Sequence, residues 1–577
     1  MSHKLFAFIL ILIISVSVVA QTHAPETDNG VDANRQKEYI DFLNETLADV
    51  NNLRTLGNRI SFSAELASLM WYYDQREARS IYLACIADFK DLIGQYDMQM
   101  KSAVPTGEND TEFSSRGFLA DMPERARIAK KFTNAMMVRQ QIAMNIAEHD
   151  ADLAFSFYYE SSEIASSPEL RKLVQSRDTY FEFQLASRVA ENNPGKAAEF
   201  GSRNLKKGVE YQQVELLNEI YKQDPEKGAE FAQQVLTAVK MEKSSGSDLY
   251  VLGSLLTAGA ESYDAAKKNV GQTSMFSDED LHYLSERLAQ AVLAADESYD
   301  PTSYLKTISR FAPASAVQVR AKFRRNATNM SSGADSLTKA GQETAKTIQQ
   351  LKQREEESEK TARQLADDVQ SIGNKDLPKE ERQKMIDRSR AIIVGMPGRD
   401  KKIAALGMLA ANVAKAGDKE LAASIMKDAQ ALVSPDPRNA QDFLLTWVLA
   451  SGYAESDPDK AFSLLQDTIS RLNGTIAALI KVGEFIDTRD ELIEDGEVQV
   501  GLFGGSMVRE ITGNLGIADG TIRNLAKADF GKTKNLTNSF DRPEARILAK
   551  MLVLRAILKK TGSPSAEINQ IVVDDIN

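Results

Sequence analysis

A lone cysteine, Cys85, in a chain of 577 residues rules out an intramolecular disulfide. The four histidines stand far apart, at 3, 23, 149 and 282, with no HExxH spacing and no paired cysteines to hold zinc. Proline, at 15 in all, falls below its usual ~5%, and glycine, at 32, sits slightly below its usual ~7%. So few breakers among abundant Ala, Leu, Lys, Glu and Gln favour long helices over strands and turns. Positive charge is also in deficit. Seventy Lys and Arg against 82 Asp and Glu leave −12, which argues against a general nucleic-acid binder with its basic field. After the first twenty residues no uncharged apolar run approaches the ~20 residues that span a bilayer. What is present, 43% apolar and 26% charged residues, is the composition of a folded chain. At ~150 residues per domain the length is several domains' worth, or one repeat architecture extended.

Met1 to Ala20 reads as a secretory signal peptide. His3 and Lys4 form a short basic start, Leu5 to Val19 is almost wholly apolar, and Val18-Val19-Ala20 suits signal peptidase. The competing reading is an uncleaved anchor helix, but this fifteen-residue run falls short of a span. Cleavage removes Lys4 and leaves a mature charge of −13. The expected location is periplasmic or extracellular.

The most informative pattern is Asp/Asn-x3-Ala/Gly-x2-large apolar. It occurs at Asp74/Ala78/Ile81, Asp150/Ala154/Phe157, Asn193/Ala197/Phe200 and Asp224/Gly228/Phe231. The C-terminal half adds Asp418/Ala422/Ile425, Asp436/Ala440/Phe443, Asp457/Ala461/Leu464 and Asp541/Ala545/Leu548. The leading side chain can accept a hydrogen bond from an orphaned amide of the first helical turn. Pro194, Pro225, Pro437 and Pro458 follow four of these caps at N1, where a missing N–H costs nothing. Offsets of four and seven share one helix face, so the small residue lets a neighbouring helix approach and the large one fills the space beside it. Stripes such as Ile403, Leu406, Leu409, Ala410 and Val413, then Gly417, lead into the caps. So do Val214, Leu217 and Tyr221, and Phe443, Leu444, Trp447, Val448 and Tyr453. Cap spacings of 31, 39 and 43 residues fit two antiparallel helices plus turns, the period of helical solenoids. The expected fold class is all-α, with helical hairpins stacked as an α-solenoid.

At Gly417-Asp418-x3-Ala422-x2-Ile425-Met426-x2-Ala429-x2-Leu432 the chain resembles the second helix of a tetratricopeptide repeat. The first helix departs from that family: Leu406-Gly407 lies about one helical turn too far from Asp418, and the early Trp, the Tyr and the closing Pro are not kept in register. The resemblance implies a tetratricopeptide-like α-solenoid, a family of partner-binding scaffolds, and carries over no functional residues.

Ala334 to Ile372 is polar and proline-free, with a 4-3 spacing from Leu337 through Leu351 to Leu365, Val369 and Ile372 that Glu355 and Ser358 interrupt. It reads as a long solvated helical arm, with an intermolecular coiled coil as the alternative. The expected organisation is a signal peptide at 1–20, an N-terminal repeat region at 35–330, a polar arm or linker at 331–378 and a C-terminal repeat region at 379–577. Ser102 to Pro123 reads as a loop. Glu497 to Gly520, with six glycines and a possible strand at Val498-Gln499-Val500, is the least repeat-like stretch. It is read as an irregular connector, with a functional elaboration as the alternative.

No chemistry-bearing constellation emerges. No GxSxG elbow occurs. Gly531-Lys532-Thr533 has the end of a P-loop but Ala526 where its first glycine belongs, and Gly513-x2-Gly516-x3-Gly520 lacks dinucleotide spacing. The acidic clusters read as solvated faces, and His149, beside Asp150 at a helix end, as a structural residue near the helix dipole. No catalytic, cofactor-binding or metal residue is nominated, no cofactor is expected, and the partner-binding residues are not given by the sequence. The leading expectation is an exported, non-catalytic protein that binds a protein or peptide partner or scaffolds the envelope. The rival is a cell-wall hydrolase or other carboxylate-dependent enzyme with a site near 497–520.

Overall fold

A computed structural model describes residues 33–558, apart from 104–123, 176–177, 206–207, 242–247, 270, 296–301, 328–359, 438, 486–492, 501 and 504–517. The signal peptide, most of the Ser102–Pro123 loop and residues 334–359 of the polar arm therefore lie outside the described residues. The described chain is nearly all α-helix and divides into two compact units. Residues 89–103 and 124–327 form one, and residues 33–88 and 360–558 the other.

In the first of these units helices α4 (Glu124–Ala147) and α5 (Ala151–Glu163) pair, followed by the short α6 (Pro168–Gln175). Four further hairpins follow: α7 (Asp178–Ala190) with α8 (Pro194–Asn204), α9 (Tyr211–Gln223) with α10 (Pro225–Met241), α11 (Asp248–Lys268) with α12 (Asp278–Ala294), and α13 (Thr302–Phe311) with α14 (Pro313–Ala327). The leading helices stack on one another in the order α4, α7, α9, α11, α13, so they form one layer. The returning helices α8, α10, α12 and α14 form the second. This is a two-layer helical repeat.

The other unit begins with α1 (Ala33–Asn51), α2 (Leu56–Met70) and α3 (Gln75–Ser102), the last belonging to it as far as Asp88. It continues with α15 (Lys379–Gly395), α16 (Arg399–Lys415), α17 (Lys419–Gln430), α18 (Ala440–Ser456) and α19 (Pro458–Phe485). A hairpin of β1 (Ile493–Glu494) and β2 (Glu497–Val498) precedes α20 (Ala518–Ala528), α21 (Phe530–Thr537) and α22 (Pro543–Leu558). Helices α16, α18, α20 and α22 stack in turn, and the N-terminal α1 and α2 then pack on α22. Charge explains part of that docking. Lys550 of α22 is 2% exposed, and its Nζ reaches Asp49 at 2.7 Å and Glu45 at 2.9 Å, while Arg555 pairs with Glu65. A lysine so buried needs both carboxylates.

The repeated cap works largely as its chemistry requires. Asp150, Asn193 and Asp418 accept from the amide three residues on, as do Asp74, Asp224 and Asp457. The small residues after them, Ala78, Ala154, Ala197, Gly228, Ala422 and Ala461, are all buried. Two copies depart. The helix expected from Asp436 starts at Ala440 with Asn439 as its cap, and Asp436 pairs with Arg471 instead. Asp541 stands before a helix that begins at Pro543, whose buried face carries Glu544, Ile547 and Lys550 rather than Ala545 and Leu548. In α18 the face also turns: Leu445, Leu449 and Tyr453 are buried while Leu444 is exposed. Gly417 ends α16 at φ +100°, a left-handed conformation that favours glycine and lets the chain reverse into Asp418.

The polar arm also needs correction where it is described. Residues 360–372 are helical, and Leu365, Val369 and Ile372 are buried in one core with Ile386, Ile393 and Ile403. The last part of the 4-3 seam is therefore packed and not solvated, and Asp368 is held there by Arg388 Nε at 2.6 Å.

Helices α16 and α18 meet at two glycines, Gly407 and Gly452. A Cβ on Gly452 would meet Gly407 Cα at 2.9 Å and Met426 Cε at 2.9 Å. Gly452→Val is expected to force the two helices apart and destabilise this unit by about 2–4 kcal/mol. Urea unfolding measures it, and an unchanged midpoint would show that the contact yields without cost.

Candidate functional site

Of the Glu497–Gly520 stretch, residues 497–500, 502–503 and 518–520 are described, and its first strand follows the turn Asp495-Gly496. Both turn residues adopt positive φ, the backbone of a tight hairpin. The strand and the residue after it, Glu497, Val498 and Gln499, are buried against the start of α2. Glu497 is the centre of a polar network. Its Oε1 accepts from Arg54 N at 2.7 Å, and its Oε2 accepts from Thr55 N at 3.1 Å and Thr55 Oγ1 at 2.9 Å. Asn58 ties the same strand from the other side, donating to Val498 O at 3.0 Å and accepting from Val500 N at 3.1 Å. Thr55 occupies the N-cap of α2 but makes no capping bond of its own, so a carboxylate more than four hundred residues away does that work. Glu544, fully buried, accepts from Val498 N at 3.1 Å and Arg542 Nε at 3.0 Å. Both carboxylates thus hold backbone amides in a closed setting. The arrangement orders a helix start and a strand.

The same device recurs in the other unit. Asp97, on α3, accepts from Ser166 N at 3.0 Å, Ser167 N at 2.8 Å and Ser166 Oγ at 2.8 Å at the start of α6, with Lys101 Nζ at 2.6 Å. Burial pushes its pKa up, but Lys101 and the serine donors outweigh that and hold the carboxyl well below the usual range.

Cys85 is buried, its Sγ 3.4 Å from Ile60 O, and burial pushes the thiol's pKa up, away from nucleophilic use. His282 Nδ1 lies 2.6 Å from Phe311 O. Lys532 and Thr533 fall inside α21, which Asp529 caps and no strand precedes, so this is not a phosphate loop. His149 differs from expectation. Burial first, and then the Arg188 charge, lower its pKa to about 4, so the ring is neutral and does not meet the helix end as a cation. Because a depressed histidine loses its stabilising contribution on acidification, stability is expected to fall by about 1–3 kcal/mol as pH drops from about 6.5 towards 4. Chemical denaturation across that range should show the slope, and His149→Gln should remove it. Asp97 acts in the same direction, but only below the ordinary carboxylate range.

A cleft of about 300 Å³ opens where α1 faces the turn between α20 and α21, lined by Arg35, Glu38, Tyr39, Lys527, Asp529 and Phe530. Its charges are of both signs. Among the described residues no group of three or more His, Cys, Asp or Glu is placed to hold a metal ion. No described helix is long and apolar enough to cross a membrane.

One surface feature escaped the sequence reading. Tyr211, Tyr250 and Tyr304 stand in the first turns of α9, α11 and α13, successive helices of one layer. Tyr211 and Tyr250 are 46% and 68% exposed. Tyr304 leans on α11 at Gly253, where a Cβ would lie 2.5 Å from Cζ and 2.8 Å from the hydroxyl. The signal available was a tyrosine at the start of alternate helices, hidden by the unequal hairpin lengths.

The chain is an all-α helical-repeat protein, on the stacking just described. No family model and no curated protein matches its sequence. Among solved structures, one described as a circular tandem repeat protein with novel repeat topology and enhanced subunit contact surfaces is similar at 13% identity, over 93% of this chain and 99% of that one, with a TM-score of 0.13.

Proposed function

We propose that the protein is a tetratricopeptide-like scaffold that binds a protein or peptide partner along the layer of leading helices, and that it is exported through cleavage after Ala20. The observation that carries this reading is the α7–α9–α11–α13 layer, whose exposed positions include Tyr211, Glu215 and Asn218 on α9 and Tyr250 and Thr257 on α11. Stacked hairpins present such faces as continuous surfaces, and aromatic residues among small polar ones suit partner recognition. The two buried carboxylates nearest the Gly-rich stretch support binding over hydrolysis, because both are engaged with backbone amides.

The test recovers the protein from its native host with bound partners and assays peptidoglycan and peptide hydrolysis alongside. A stoichiometric partner without turnover is expected. Turnover that one carboxylate substitution abolishes in a folded protein would establish the hydrolase instead. N-terminal sequencing of the same material should begin at Gln21, and an intact Met1 would overturn the export reading.

A further inference from the structure

The cleft at the start of α1 is lined by four charged side chains, Arg35 and Glu38 on α1, Lys527 at the end of α20 and Asp529 before α21. Arg35 and Glu38 stand one helical turn apart, a spacing at which opposite charges readily pair. They do not pair, and among the described residues the side chains of Arg35, Glu38 and Lys527 make no hydrogen bond or ion pair. Asp529 accepts from Lys532 N through Oδ1, which leaves Oδ2 open. The other three cations of α20 and α21 are committed elsewhere. Lys532 Nζ lies 2.8 Å from Asp459, Lys534 pairs with Glu45, and Arg523 Nε donates to Ala556 O at 3.0 Å.

Aromatic packing holds the walls of the cleft together. Phe530 of α21 meets Tyr39 edge-on at 4.9 Å and the buried Phe42 edge-on at 5.7 Å between ring centroids, which fixes α1 against the turn. Two cations and two carboxylates therefore ring one opening with no net sign. A simple anion there would face Glu38 and Asp529, and a simple cation would face Arg35 and Lys527. A neutral apolar molecule would strip water from all four charges and return nothing. A molecule with both charges satisfies both pairs through charge-assisted hydrogen bonds. The volume of about 300 Å³ sets its size. It equals about ten water molecules at ~30 Å³ each and lies at the small end of ligand pockets, room for an amino acid or a dipeptide. Tyr39 and Phe530 give such a ligand an apolar wall for its side chain.

We propose that this cleft binds a small zwitterion with the chemistry of an amino acid, Arg35 and Lys527 taking its carboxylate and Glu38 and Asp529 its ammonium. The site belongs to the unit that does not carry the α7–α9–α11–α13 layer, so the proposal goes beyond the scaffold reading and does not depend on it.

The test uses the full chain and titration calorimetry with L-phenylalanine and with the dipeptide alanyl-phenylalanine. Parallel probes are N-acetyl-phenylalanine, which lacks the ammonium, phenylalanine amide, which lacks the carboxylate, and inorganic phosphate. At least one of the two zwitterions should bind saturably, and each single-charge probe at least about tenfold more weakly. The tighter of the two zwitterions tells a free amino acid from a peptide as the source. Arg35→Gln and Glu38→Gln should each weaken that binding about five- to tenfold with thermal melts unchanged, because both side chains are exposed. Absent binding of both zwitterions, a single-charge probe or phosphate bound as tightly, or binding indifferent to both substitutions would overturn the proposal. Any of these results leaves the partner-binding layer of the other unit standing, since neither substitution touches it.

Discussion

Glu497→Ala is expected to destabilise the unit formed by residues 33–88 and 360–558 by about 3–5 kcal/mol. The substitution removes the acceptor of Arg54 N, Thr55 N and Thr55 Oγ1 at once, in a site where water does not replace it. A buried donor left without a partner costs about 1–3 kcal/mol, and the donors here share one carboxylate, so the sum falls short of additive. Glu497→Gln keeps one acceptor oxygen but turns an NH2 towards N–H groups, and should recover less than half of the loss. Hydrogen exchange at residues 54–58 reads the effect locally, because the first turn of α2 loses its cap. Wild-type exchange and an unchanged unfolding midpoint in Glu497→Ala would mean that the network holds nothing together. A catalytic carboxylate behaves in the opposite way, sacrificing turnover and sparing stability.

Ala461→Asp should be of similar size, about 3–5 kcal/mol, and Asp457→Ala only about 1 kcal/mol. Ala461 is fully buried in the core shared by α16, α17, α18 and α19, whereas Asp457 is a surface cap that accepts from Lys460 N at 3.1 Å. Ala461 belongs to one buried apolar cluster with Ala422, Ile425, Leu449 and Leu465, a setting hostile to a carboxylate. Thermal melts rank the two variants. An aspartate at 461 no worse than the lost cap would contradict the inward facing of the small residue.

Local features of this fold were legible because they follow from local physics. A capping Asp and a small residue four positions on identify a helix start whatever that helix packs against, as Asp150 with Ala154 and Asp418 with Ala422 illustrate. The failures were also local. Asn439, three residues after Asp436, offers the same capping chemistry, and the turn settled on it. Leu365, Val369 and Ile372 looked exposed because their segment is polar overall, yet three apolar residues on one face suffice for a helix that covers a neighbour on one side only. Long-range pairing left no such trace. Nothing in Glu45, Asp49 and Lys550 taken singly announces that the first helix packs against the last. The trans-capping of Thr55 by Glu497 was equally hidden, although the strand containing Val498 was anticipated. The recurrence of tyrosine at the starts of α9, α11 and α13 required knowing which helices are neighbours, which hairpins of unequal length conceal.

The claim that a partner binds the layer of leading helices is tested most directly by site-specific photo-crosslinking in the native host. A photoreactive residue is placed at Tyr211 or Tyr250 on that layer, and at exposed Gln234 or Val317 on the returning helices α10 and α14. One and the same partner crosslinked from 211 and 250, and not from 234 or 317, is the expected result. Crosslinks from 234 and 317 alone, or equal yields from all four positions, would contradict it.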